Sequence, residues 1–115
     1  PQKSRRVKRW RVIYGDGAKG DILGIVDYIL ARDNLINAAK ALARLEDRIG
    51  TLTTLPDRGR VVPELSWHGI TNVREILEKP WRILYQVKAS EVLILAVYDG
   101  RRHLNDVLLE RFLRS

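Results

Sequence analysis

The apolar residues of this 115-residue chain keep a helical period twice in succession and then change to a strand period after Pro56. From Asp16 to Ala31, Ile22, Ile25, Val26, Ile29 and Leu30 recur at three- and four-residue spacing, the mark of one helical face. Ala38, Ala39, Leu42, Leu45, Ile49 and Leu52 repeat the stripe, and Leu55-Pro56 closes it. The polar break "RDN" between the two offers Asp33 or Asn34 as an N-cap, so the pair is expected to pack as an antiparallel helical hairpin. "PDRGRVVPEL" reads as a loop punctuated by Pro56, Gly59 and Pro63. Beyond it, 72–78, 81–88 and 91–98 read as strands, joined across Lys79-Pro80 and Ala89-Ser90 as antiparallel hairpins. "VLILAV" is apolar on both faces, which predicts an interior strand covered on both sides. With a strand at Trp10–Tyr14 and a helix at Leu104–Leu113, the expected order is β-α-α-β-β-β-α, an α+β fold.

That order decides how to read "YGDGAKGD". Gly15, Gly17 and Gly20 spell G-x-G-x-x-G between an apolar stretch and a helix, the local form of a dinucleotide-binding turn. Such a turn belongs to a βαβ crossover, with an acid about 20 residues further on closing a second parallel strand. Here a second helix follows the first, and Asp33 stands near that distance only as a helix cap. Gly15 and Gly17 are therefore read as shaping a strand-to-helix turn, with Asp16 or Asp21 at the helix N-terminus, and no cofactor is expected.

Composition excludes little else, but charge placement is informative. There is no cysteine, hence no disulfide or thiolate metal site, and His68 and His103 are too few and too far apart for zinc; no metal is expected. No apolar run approaches the ~18 residues of a membrane span and none near the start resembles a signal peptide, so a cytoplasmic protein with no membrane partner is expected. Of the net charge of +7, Lys3, Arg5, Arg6, Lys8, Arg9 and Arg11 supply six, leaving the body nearly neutral. Residues 1–9 thus read as a basic arm, either a solvated tail or a contact for nucleic acid or an acidic protein, and 10–115 as one domain.

On the strand from Trp81, alternation puts Trp81, Ile83, Tyr85 and Val87 on a core face and Arg82, Leu84, Gln86 and Lys88 on the other. Arg82 is either an ion-paired arginine opposite Glu75 or Glu78, or a functional cation. Trp81 is expected buried, Trp10 packed, and Trp67, in a loop, exposed.

Taken together, "DILGIVDYI", "AAKALARLEDRIGTL", "LPDRGRVVPEL", "VREI", "PWRILYQV" and "VLILAVYDGRRHLNDVL" resemble the RelE/ParE superfamily, the toxins of bacterial type II toxin–antitoxin pairs, over nearly the whole chain. The resemblance implies a helical hairpin packed on an antiparallel sheet with a short C-terminal helix. It also implies a growth-inhibitory toxin of the kind found in plasmid stabilisation, held silent in a hetero-oligomer by an antitoxin whose binding segment is acidic. Two chemistries are open. RelE-like members are ribosome-dependent mRNA endonucleases, and ParE-like members inhibit DNA gyrase without cutting anything themselves.

By position, Arg82 matches the family's strand arginine, and Arg101 or Arg102 the basic pair after the last strand. For a metal-independent mRNA interferase acting on mRNA at the ribosome, Arg82, Arg102, His103 and Glu75 would be the catalytic set, with Glu75 as a base and His103 as an acid or base near neutral pH. Val73 and Glu75 stand where the best-known nucleases have lysines, and Leu108 where a late tyrosine would be. "GRVVPEL…VREI…PWRILYQV…GRR" is more similar to the ParE side, on which Arg82, Arg101 and Arg102 would bind the target. A third reading is a toxin fold without activity, kept as a binding module.

Overall fold

A computed structural model describes residues 8–101 and Arg111. Strand β1 (Arg11–Tyr14) leads into helix α1 (Asp16–Arg32) and helix α2 (Leu35–Gly50), followed by a 3₁₀ turn at Thr51–Thr53. After these come β2 (Arg60–Val61), a one-turn helix α3 (Pro63–Ser66), β3 (Arg74–Glu78), β4 (Trp81–Lys88) and β5 (Glu91–Asp99). The strands form a sheet of order β1-β5-β4-β3-β2, antiparallel except that β1 runs parallel to β5. The fold is thus the expected α+β hairpin-on-sheet arrangement, and β5 is an interior strand. The expected C-terminal helix Leu104–Leu113 lies outside the described residues apart from Arg111, as do residues 1–7 of the basic arm.

The helical hairpin forms for the reasons its sequence suggested. Of the two candidate caps, Asn34 is the one that acts: its side chain accepts from the Asn37 backbone N–H at 2.8 Å. Asp33 instead accepts from the Asn37 side chain and holds the turn. Ala18 and Ile22 of α1, and Ala41, Leu45 and Ile49 of α2, are buried against Ile76, Trp81, Ile83, Tyr85, Val92 and Ile94 of the sheet. Two positions of the predicted stripes differ. Leu30 of α1 and Ala39 of α2 are exposed while Ala41 is buried, the buried line of α2 being Ala38–Ala41–Leu45–Ile49.

The stretch read as a plain loop is the main correction. Within "PDRGRVVPEL", β2 pairs with β3 and Pro63, fixed at the first helical position, starts α3. Val62 and Leu65 are fully buried there with Val73, Leu84 and Ala96, so the sheet's second face has its own small core. A register shift opposite Leu84 and Tyr85 helps make this possible. It leaves Leu95 unmatched between Ala96 and Ile94, so that Val97 joins the helix-side core while Ala96 and Tyr98 join the other.

Gly15 ends β1 and caps α1, its N–H donating to the Ile94 carbonyl at 2.9 Å. A side chain there would crowd that carbonyl at 3.0 Å. Gly17 and Gly20 lie inside α1 rather than in a loop before it. Trp81 is buried, Trp10 packs against the core beneath the Lys8 ammonium, and Trp67 is 71% exposed.

Candidate functional site

The second face of β3 and β4 carries the charged cluster that the sequence pointed to. In the β3–β4 ladder Leu77 pairs with Arg82 and Glu75 with Leu84, so Glu75 and Arg82 are diagonal neighbours on one face. Glu78 pairs with Trp81 and faces the helices, where Arg44 and Arg48 of α2 bind it. Of the two carboxylates proposed opposite Arg82, Glu75 is therefore the partner. The Arg82 Nε donates to Glu75 Oε1 at 2.5 Å.

A second carboxylate comes from the segment read as a loop. Glu64, in α3, takes both Arg82 Nη groups in a fork, at 2.7 and 2.8 Å. Arg60 of β2 donates its Nε to the other Glu75 oxygen at 2.6 Å. Two arginines and two carboxylates thus alternate as Arg60–Glu75–Arg82–Glu64, with formal charges that cancel. The Glu75 side chain is almost wholly buried and that of Arg82 is 11% exposed. Such a cluster is tolerable only because each buried charge is hydrogen-bonded; no buried side-chain polar atom is left without a partner among the described residues. The Arg82 hydrogen bonds hold the Glu64 carboxyl below its ordinary range. The Glu64 carboxylate in turn leads in raising Arg82 further above the usual arginine value.

Arg101 follows β5 and is 78% exposed on its side chain, with Nε and Nη2 on Asp99 at 3.0 and 2.7 Å. Arg60, Leu77, Arg82 and Arg101 line one shallow groove of about 430 Å³ beside Pro80 and Gly100. Gly100 lets the chain pass close to Arg82: its N–H donates to the Pro80 carbonyl at 2.7 Å, and an added Cβ would lie 3.3 Å from the Arg82 stem. Of the candidate residues, then, Arg82 and Glu75 meet directly and Arg101 shares their groove. Arg102 and His103 lie outside the described residues. Sequence reasoning missed Arg60 and Glu64. The available signal was Pro63-Glu64, a proline and an acid at a helix start. Among the described residues no group of three or more His, Asp or Glu side chains is placed to hold a metal ion.

Residues 12–104 match the family model described as the ParE toxin of type II toxin–antitoxin systems, parDE. The chain belongs to the ParE toxin family. A curated relative in that family is Toxin ParE3 of Caulobacter vibrioides, 29% identical over 94 residues, which are 82% of this chain and 90% of the relative. Among solved structures, the chromosomal ParDE toxin–antitoxin system from P. aeruginosa superposes with a TM-score of 0.66. It is 21% identical and covers 80% of this chain and 97% of that one. The toxin–antitoxin complex RelBE2 from Mycobacterium tuberculosis gives 0.56 at 22% identity, covering 84% and 97%. These two likenesses are of fold. This ParE-family chain shares with them the hairpin-on-sheet architecture. Among its described residues no helix is long and apolar enough to cross a membrane.

Proposed function

We propose that this ParE-family toxin inhibits growth by acting on DNA gyrase, and that it is silenced in a hetero-oligomer by a cognate antitoxin with an acidic binding segment. The observation that carries this reading is the state of Arg82. A metal-independent nuclease needs cations free to surround a scissile phosphate and a base within reach of the 2′-hydroxyl. Here the strand arginine spends Nε and both Nη groups on Glu75 and Glu64, and the buried Glu75 that would serve as base is held between two guanidinium groups. A neutral, internally satisfied cluster supports a role in holding the toxin's shape. Target contact then falls to the exposed Arg101, with Arg102 beside it in sequence.

The deciding experiment is a short, tightly controlled pulse of expression in a bacterium, following labelled thymidine and labelled amino-acid incorporation in parallel. DNA synthesis is expected to fail first, and purified toxin is expected to inhibit gyrase supercoiling. Earlier failure of protein synthesis, with cut mRNA, would establish the nuclease reading instead. Normal growth with folded toxin present would leave only a binding module.

A further inference from the structure

The glycine motif has a use that the strand-to-helix turn does not exhaust. Gly17, Gly20 and Gly24 fall on one side of α1 at spacings of three and four. Their surroundings differ sharply. An added Cβ would meet nothing within 4 Å at Gly20 or Gly24, but at Gly17 it would press into the Arg111 guanidinium, 3.0 Å from Cζ and closer still to Nη2. Gly17 is thus a notch occupied by an arginine from the far end of the chain.

The rest of the notch is built for a guanidinium. Asp21, one turn along α1, has a largely buried carboxylate whose Oδ2 accepts from the Val97 backbone N–H at 2.9 Å and from Arg111 Nη1 at 3.1 Å. Oδ1 lies 3.3 Å from Nη2, and the Tyr98 hydroxyl closes a further short hydrogen bond with Nη1. The Arg111 guanidinium also stands 5.4 Å from the centroid of the Tyr98 ring. Asp21 and Tyr98 continue into an apolar groove of about 740 Å³ that runs past Gly20, Gly24 and Tyr28 to Trp81. A planar cation held by a carboxylate fork, a hydroxyl and a missing Cβ is a specific fit; a lysine has no comparable fork to offer.

We propose that Gly17, Asp21 and Tyr98 form an arginine-binding latch, and that this face of α1 and β5 is the docking surface of the chain's own C-terminal end, anchored by Arg111. The latch spans 90 positions of sequence.

Three alanine substitutions on α1, made in the full chain, test it. Replacing a helical glycine by alanine ordinarily stabilises. Gly20→Ala and Gly24→Ala should therefore raise the melting temperature or leave it unchanged, whereas Gly17→Ala should lower it. Hydrogen exchange in the C-terminal peptides should rise at least tenfold in Gly17→Ala, Arg111→Ala and Arg111→Lys. It should stay at the wild-type rate in the other two glycine variants. In an Arg111→Ala background, Gly17→Ala should lose its penalty, because the group it collides with is gone. Should Gly17→Ala alone fail to fold, recovery in the Gly17→Ala/Arg111→Ala double variant supports the latch, and continued failure overturns it. Gly17→Ala as benign as Gly20→Ala, or wild-type exchange in Arg111→Ala, would equally overturn it.

Discussion

On its helix-facing side β4 buries Trp81, Ile83 and Tyr85 beneath two helices of 17 and 16 residues. On its other side the same strand sets Arg82 beside Leu84, covered by a helix of four. The first side is held by apolar area, which is non-directional and survives small changes of shape. The second has too little apolar cover to close by that means, and a chain of ion pairs fills the difference. Such a chain is directional: remove Arg82 and the buried Glu75 keeps Arg60 alone, while Glu64 loses the fork that both Nη groups supply. In this chain the buried cation Arg82 is tied into the local architecture through Glu75 and Glu64.

The largest expected effect is therefore on the charged side. Arg82→Ala takes one of two guanidinium partners from the buried Glu75 and the whole fork from Glu64, and should lower stability to denaturant by about 3–5 kcal/mol. Ile83→Val, its neighbour on the apolar side, should cost about 0.5–1.5 kcal/mol. Equal losses for the two would break the contrast. Tyr85→Phe sharpens it from the apolar side, since the Tyr85 hydroxyl donates to the Pro56 carbonyl at 2.7 Å and accepts from the Gly59 N–H at 2.9 Å. Leaving those two buried groups unmet should cost about 1–3 kcal/mol in the same denaturation experiment.

Acid titration gives a smaller effect of known sign. Arg82 holds the Glu64 carboxyl below its ordinary 4.5. The native state therefore binds fewer protons there than the unfolded chain. The stability this contributes is complete above that ordinary value and is lost as pH falls through the lower native one. Denaturant midpoints measured between pH 6 and pH 3 should fall less steeply in Arg82→Ala than in the wild type. An unchanged slope would remove Glu64 from the network. The smallest effect belongs to Arg101→Ala, whose side chain is mostly in solvent and pairs with its near neighbour Asp99. Its melting temperature should match the wild type, and on the proposed gyrase reading inhibition of gyrase should weaken. Full inhibition would move the target contact elsewhere.

Much of this architecture was legible before any coordinates. The helical stripes placed Ile22, Leu45 and Ile49 in the core, and alternation along 81–88 assigned Trp81, Ile83 and Tyr85 correctly. The candidate site was legible in part. Arg82 and Glu75 stood out, but Glu64 was hidden in a stretch with three breakers, where a two-residue strand and a single helical turn are too short to display a period.

What the sequence by itself determined are the features that a window of a few residues can encode: where a helix starts and which face of a strand is apolar. Asn34 caps α2 because its own side chain reaches the N–H three residues on, wherever the helix later packs. Only the tertiary structure decided that β1 lies parallel to β5, that Arg82 takes Glu64 and Glu75 and leaves Glu78 to the helices, and that Gly17 makes room for Arg111. Each of those choices joins residues from different elements, and several carboxylates or edges were chemically equivalent candidates. The selection rests on which groups the packed core brings within hydrogen-bond reach, and that distance is set by the whole fold rather than by any local stretch of the chain.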